Sequence, residues 1–104
     1  MTINEVKQRL DADAVVLSDK PIEGVYAGDF LSRVMSKAPS GYVWLTVMNN
    51  VNVAGVAVLA EINAVVLCEG VVPDALLCDK CRAEGISLLT TPLDVFSACV
   101  RLGS

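Results

Sequence analysis

The sequence contains no histidine among its 104 residues. Histidine is the commonest general base and the commonest metal ligand in proteins, so its absence removes the usual starting point for both kinds of chemistry. No serine or cysteine stands near a candidate base, and Asp29, Glu61 and Glu69 are isolated from one another along the chain. The sequence therefore predicts a protein that is not an enzyme.

Basic residues are also scarce, with 8 Lys and Arg against 12 Asp and Glu, and no basic run occurs. The charge pattern of a nucleic-acid-binding protein is missing. The longest apolar stretch, residues 51–60, is about half as long as the ~20 residues that span a bilayer. The first ten residues, MTINEVKQRL, lack the basic start and apolar run of a signal peptide. We expect no nucleic-acid partner, no membrane partner and a cytoplasmic location.

Nucleotide-binding motifs are missing as well. Neither G-x-x-x-x-G-K-[ST] nor G-x-G-x-x-G occurs. The segment GVYAG has two glycines but lacks the third and does not form this motif, and it is typical of a turn from a strand to a helix. No cofactor is predicted.

A single C-x-x-C, formed by Cys78 and Cys81, lies in the segment DALLCDKCRAEG. At about 100° per residue, both cysteines share one helical stripe with Leu77, where free cysteine behaves as a small apolar residue. A metal site would need its remaining ligands from Cys68 and Cys99, and nothing in the spacing requires them. Packing is the favoured interpretation and no metal site is predicted, with a ligand or redox role as the alternative.

Helical and strand patterns alternate in the order α-β-β-α-β-α-β-α-β-α. This order predicts an α/β fold, with residues 1–104 forming a single three-layer domain in which helices flank a mainly parallel central sheet. Thr2 and Glu5 form a capping box for the first helix. We expect Asp29 to cap the second helix, Asn49 or Asn50 the third, and Pro73 to occupy the first turn of the fourth.

Two helices show an apolar stripe in the sequence. The stripe of the second helix is predicted to comprise Phe30, Leu31, Val34, Met35 and Ala38. The stripe of the last helix is predicted to comprise Leu93, Phe96, Cys99 and Val100.

The helix that starts at Val51 has no charge before Glu61 and is apolar nearly all round. Such a helix should be buried nearly all round, which a small three-layer domain rarely achieves alone. We therefore expect a homodimer with this helix at its interface. The alternative is a central core helix in a monomer. The predicted interface residues are Val51, Ala54, Gly55 and Val58.

Three segments, EGVYAGDFLSRVM, VWLTVMNNVNVAGVAVLAEINAVVLCEG and GISLLTTPLDVF, resemble the DRTGG domain family. The resemblance is greatest to its small stand-alone form. It implies an α/β fold like that of the N-terminal domain of HPr kinase/phosphorylase, and it extends to the non-catalytic domain only. Related domains occur in phosphotransacetylases and beside CBS domains in regulated pyrophosphatases. The resemblance thus implies an accessory, regulatory module.

The motif that names the family is altered here. Its Asp-Arg-Thr part is expected where Asn49, Asn50 and Val51 stand, and its Gly-Gly part is expected near Gly70, after Cys68 and Glu69. The arginine that could hold an anionic ligand is therefore missing.

Besides the metal or redox role left open for Cys78 and Cys81, two functions remain open at this stage. The first is a non-catalytic regulatory or scaffold domain that dimerises and contacts an unidentified partner protein. The second is a sensor of a small molecule, for example an adenine nucleotide, bound where ligands of such sheets usually lie, at the carboxyl ends of the strands. The candidate ligand contacts are Gly28, Asn49, Asn50, Asn52, Glu69, Gly70 and Thr91.

Overall fold

The computed structural model describes residues 1–103, in which five helices and five strands follow one another in the predicted order. The helices are α1 (Ile3–Arg9), α2 (Leu31–Lys37), α3 (Val51–Leu59), α4 (Ala75–Glu84) and α5 (Val95–Gly103). The strands are β1 (Asp13–Val16), β2 (Val25–Ala27), β3 (Val43–Thr46), β4 (Ala64–Leu67) and β5 (Ser87–Thr90). Within residues 1–103 no helix has the length and apolar character to cross a membrane.

The strands form one sheet in the order β1-β5-β4-β3-β2. Strands β2 to β5 are parallel, and β1 pairs antiparallel with β5 at one edge. Each crossover among the parallel strands returns to the neighbouring strand, and crossovers of this kind are right-handed. Helices α2, α3 and α4 therefore share one face of the sheet, while α1 and α5 cover the other. The predicted three-layer α/β fold with a mainly parallel sheet is confirmed.

The core has two layers, one on each face of the sheet, because the central strands bury side chains on both faces. Every residue of β3 and β4 is buried, as expected for parallel strands that carry helices on both faces. Trp44, Val65 and Leu67 pack towards α2, α3 and α4. Leu45 and Val66 pack towards α1 and α5.

Most helix ends agree with the sequence. Thr2 and Glu5 form the capping box of α1, Asn50 caps α3, and Gly85 ends α4 in the left-handed conformation. Two expectations are wrong. Asp74, not the preceding proline, caps α4, so Pro73 lies outside the first turn. The N-cap of α2 is Phe30, which makes no side-chain capping bond, because the Asp29 carboxylate is engaged elsewhere.

The predicted stripes of the outer helices are only partly buried. On α2 only Val34 is fully buried, and Phe30 and Met35 are exposed, because this helix covers only the edge of the sheet. On α5 the buried residues are Ala98 and Leu102. The predicted stripe of α5 is right only in part: Leu93 and Cys99 pack against the core, whereas Phe96 is 74% exposed and Val100 is half-exposed. The helix begins at Val95 and turns Ala98 and Leu102 towards the sheet.

Helix α3 lies between α2 and α4, and its buried residues are Val53, Ala54, Val56 and Ala57. The expectation that α3 is buried nearly all round is wrong for a single copy. The sheet and the two neighbouring helices cover three of its sides. The fourth side faces outward and exposes Val51 and Leu59.

Candidate functional site

Four loops follow the parallel strands and meet along one edge of the sheet, here called the carboxyl edge. They comprise residues 28–30, 47–50, 68–74 and 91–94. All seven predicted ligand contacts lie in these loops or in the first turn of α3. Six of them, all except Asn52, therefore lie at the carboxyl edge, and the roles of their side chains decide what they can bind.

The loop after β2 is held by hydrogen bonds within the chain. The Trp44 indole donates to the Gly28 carbonyl at 2.7 Å. The Asp29 carboxylate accepts from the Thr46 hydroxyl at 2.7 Å and from the Val47 backbone N–H at 3.0 Å. This loop is therefore fixed to β3, and the Gly28 carbonyl and the Asp29 carboxylate already have partners.

The three asparagines after β3 have different roles. The Asn49 side chain donates to the Val72 carbonyl and accepts from the Asp74 backbone N–H at 2.6 Å, which ties this loop to the loop before α4. The Asn50 side chain accepts from the Asn52 backbone N–H at 2.9 Å and caps α3. Asn52 is exposed and lies beside a groove between α2 and α3 rather than at the carboxyl edge.

The loop after β4 begins with a tight turn over residues 68–71. Its two central residues, Glu69 and Gly70, have φ angles of 62° and 70°. The Val71 backbone N–H donates to the Cys68 carbonyl at 3.3 Å. The backbone therefore keeps a conformation that two glycines would adopt without strain, although only the second residue is glycine.

Thr91, after β5, is buried and serves the fold. Its hydroxyl donates to the Leu10 carbonyl at 2.6 Å and accepts from the Leu93 backbone N–H at 3.2 Å. Both hydrogen-bonding functions of this hydroxyl are used, so the Thr91 side chain is not free to bind a ligand.

The carboxyl edge is negatively charged. Its four loops contain Asp29, Glu69, Asp74 and Asp94 but no lysine or arginine. A hydrogen bond from Ser97 lowers the pKa of Asp94, which keeps that carboxylate ionised. An anionic group such as a polyphosphate would meet repulsion here and would find no cation in these loops.

A cleft of about 500 Å³ opens at this edge, on the side of the sheet that carries α4. Of the predicted contacts, only Gly70 and Thr91 line it. Sequence reasoning missed its other lining residues. For Asp13 and Val15 the reason is that the antiparallel pairing of β1 with β5, which forms one wall of the cleft, has no signal in the sequence. These residues are Asp13, Val15, Val71, Val72, Pro73, Thr90 and Pro92.

The four cysteines are free thiols and lie on opposite sides of the sheet. Cys81 and the half-buried Cys78 belong to α4 and pack against the core on that face of the sheet. Cys68 and Cys99 lie on the face that carries α5. The sheet therefore separates Cys78 and Cys81 from Cys68 and Cys99, so the second pair does not come near the first. Among residues 1–103 no group of three or more Cys, Asp or Glu is placed to hold a metal.

Burial determines the chemistry of the two innermost thiols. Burial, with a smaller contribution from Cys99, raises the pKa of Cys68 to about 11. Burial, with a smaller contribution from Cys78, raises the pKa of Cys81 to about 11. Redox-active cysteines have lowered pKa values and accessible sulfur atoms, so this environment favours the packing interpretation.

A second surface feature lies on the outside of the helical layer. Between α2 and α3 runs a groove of about 510 Å³, here called the outer groove, in which Lys80 is the only charged residue. Of the predicted interface residues, Val51 and Gly55 line the groove. Val58 is partly exposed beside a different, polar cleft, and Ala54 is fully buried. The outer groove is lined by Leu31, Met35, Val51, Asn52, Gly55, Val56, Leu59 and Lys80.

Comparison with solved structures finds a similar fold in the CBS and DRTGG domains of the regulatory region of Clostridium perfringens pyrophosphatase, complexed with its activator diadenosine tetraphosphate. The TM-score is 0.80 at 16% sequence identity, over 97% of this chain and 45% of that one. This chain thus spans less than half of the matched chain. The match establishes a shared fold and is consistent with the DRTGG-like domain that the resemblance predicts. No protein-family model and no curated protein matches the sequence.

Proposed function

We propose that this chain, which shares its fold with the regulatory region of a pyrophosphatase, is a non-catalytic regulatory domain that forms a homodimer and contacts a partner protein. The observation that carries the proposal is the apolar outer groove. Part of the groove is formed by α3, which has no charged residue along its whole length. This proposal keeps the prediction that residues 1–104 act as a single domain.

The groove brings several exposed large apolar side chains together on one surface. Leu59 is 70% exposed, Met35 is 46% exposed and Val51 is 41% exposed. Burying apolar surface is worth roughly 25 cal/mol per Å². Contiguous apolar surface on a small protein commonly marks an interaction site.

A second copy of the chain is the occupant that we propose for the outer groove. The groove offers apolar ridges beside Gly55, and a side chain placed at Gly55 would meet no atom within 4 Å. If two copies pack about a two-fold axis through this surface, the protruding apolar side chains of each copy would fill the open space beside Gly55 of the other. Ala54 is left out of this contact because it faces inward.

The size of the molecule is compatible with such a dimer. Its Cα atoms extend over 29 × 26 × 25 Å, so one whole helical face approaches the roughly 800 Å² per partner that a stable interface buries. Lys80, the only charge in the groove, can keep its ammonium in solvent at the rim while its stem covers apolar surface.

Sedimentation equilibrium on Leu59→Glu tests the dimer. We expect the unchanged chain to be a dimer at micromolar concentration and the variant to be a monomer, because a carboxylate would be buried in an apolar contact. Leu17→Glu is the matched control, since Leu17 is 55% exposed outside the groove and should leave the dimer intact. A monomeric unchanged chain, or equal dissociation of both variants, would overturn the proposal.

A small-molecule sensor is the second candidate function. It is favoured by the cleft of about 500 Å³ at the carboxyl edge and by the activator bound to the pyrophosphatase region that shares this fold. The acidic loops argue against a polyphosphate at this edge. If the second candidate holds, the ligand is recognised through uncharged or positively charged groups.

A further inference from the structure

We propose that the cleft between β1, the end of β5 and the loop before α4 is a binding site for a flat heteroaromatic amine, with Asp13 and Thr90 recognising its amino edge. Adenosine is the simplest probe of this class. The inference rests on the second candidate function and supplies the site and chemical class of the ligand. It does not depend on the homodimer.

The recognition pair follows from the register of the sheet. Asp13 of β1 lies directly opposite Thr90 of β5, and residues paired across two strands project to the same side of a sheet, with Cβ atoms roughly 5 Å apart. Both residues line the cleft. Within residues 1–103 no ion pair or hydrogen bond engages the Asp13 carboxylate or the Thr90 hydroxyl.

The walls of the cleft suit a flat apolar body. Val15 and Val71 are half-buried, and Pro73 and Pro92 add rigid rings. The wall that contains Val72 is held in place because the Asn49 side chain binds the carbonyl of Val72 and the neighbouring backbone N–H of Asp74. A preformed cleft avoids the entropy cost of ordering a loop when a ligand binds.

The chemistry of the pair selects the ligand. A carboxylate accepts hydrogen bonds only, whereas a threonine hydroxyl both donates and accepts. An amino group beside a ring nitrogen offers a donor to Asp13 and an acceptor to Thr90. The only charge among the lining residues is that of Asp13, so a phosphate attached to such a ligand would gain nothing inside the cleft.

The experiment is a titration of the ¹⁵N-labelled full chain with adenosine, followed by two-dimensional NMR. We expect saturable shifts of the amide signals of Gly70, Val72 and Thr90. Purine riboside, which lacks only the amino group, should bind at least tenfold more weakly, and ATP should bind no more tightly than adenosine. No saturable shift at millimolar adenosine, equal binding of purine riboside, or much tighter binding of ATP would each overturn the inference.

Two variants locate the site. Asp13→Asn and Thr90→Val should each weaken adenosine binding at least tenfold while the melting temperature stays close to that of the unchanged chain. Asp19→Asn, which removes one exposed carboxylate outside the cleft, should leave binding unchanged. If Asp19→Asn weakens binding as much as Asp13→Asn, the effect is one of net charge and the inference fails. Sedimentation of the same variants reports on the dimer separately.

Discussion

At the scale of single residues, the turn after β4 holds a residue with a side chain in the left-handed conformation. Glu69 has a φ of 62°, in the left-handed region where a side chain costs roughly 1 kcal/mol relative to glycine. Gly70 beside it, with a φ of 70°, has no such cost. The turn therefore has a backbone that two glycines could adopt without strain, and it carries a carboxylate at a negatively charged edge.

The buried thiol of Cys81 gives a residue-scale prediction about pH. Its pKa is raised from 9.0 to about 11, so the thiol ionises in the unfolded chain before it ionises in the folded one. The resulting stability is fully present below pH 9 and is lost as the pH rises towards 11. In Cys81→Ala the free energy of unfolding should fall less steeply with pH over this range than in the unchanged chain. The two slopes should differ by up to about 1.4 kcal/mol per pH unit.

Urea unfolding at several pH values between 8 and 11 measures this slope. Leu77→Ala is the control, because it opens a cavity under the same helix without removing a titrating group, and its slope should match that of the unchanged chain. Equal slopes for Cys81→Ala and the unchanged chain would contradict the burial of the thiol.

At the scale of secondary-structure elements, the side chain of Asn49 joins the loop after β3 to the start of α4. Asn49→Ala removes its bonds to Val72 and Asp74 and should lower the free energy of unfolding by about 1 kcal/mol. It should also weaken adenosine binding, because the wall of the cleft that contains Val72 is released. Chemical denaturation measures the first effect and the NMR titration the second.

Asn52→Ala is the matched control for this element. Asn52 lies in the first turn of α3, and its side chain has no hydrogen-bond partner among residues 1–103. Alanine is the better helix former, so this variant should be neutral or slightly stabilising. A loss of stability as large as that of Asn49→Ala would show that the tie between the two loops contributes nothing specific.

At the scale of the whole molecule, the two candidate binding surfaces lie on different sides of the fold. The acidic loops and the cleft occupy the carboxyl edge, whereas the outer groove occupies the outside of the helical layer. A ligand at the edge and a second copy at the groove would therefore not compete for the same residues. Because the cleft and the outer groove are separate, a ligand and a second copy could be bound at the same time.

The proposed homodimer predicts a melting temperature that depends on protein concentration. Association stabilises the folded state by mass action, so the melting temperature should rise by a few degrees between 1 and 100 μM chain. In Leu59→Glu this dependence should vanish. Differential scanning calorimetry over this range measures it, and a constant melting temperature for the unchanged chain would contradict a folded dimer that dissociates as it unfolds.

The sequence by itself determined the order of the elements, the three-layer fold and the packing of Cys78 and Cys81. These features depend on local periodicity, on capping residues such as Thr2 and on the apolar runs of the strands, all of which are short-range properties of a chain. The position of the candidate ligand edge was also predictable, because the carboxyl ends of parallel strands meet at one edge.

Only the tertiary structure decided which side chains are free to act. Thr91 and Asn49 are the right residue types in the right loops, but their polar groups are used by Leu10, Val72 and Asp74. Asp13 joins the cleft solely because β1 runs antiparallel beside β5. Such pairings are set by contacts between residues distant in the chain, which local patterns do not encode.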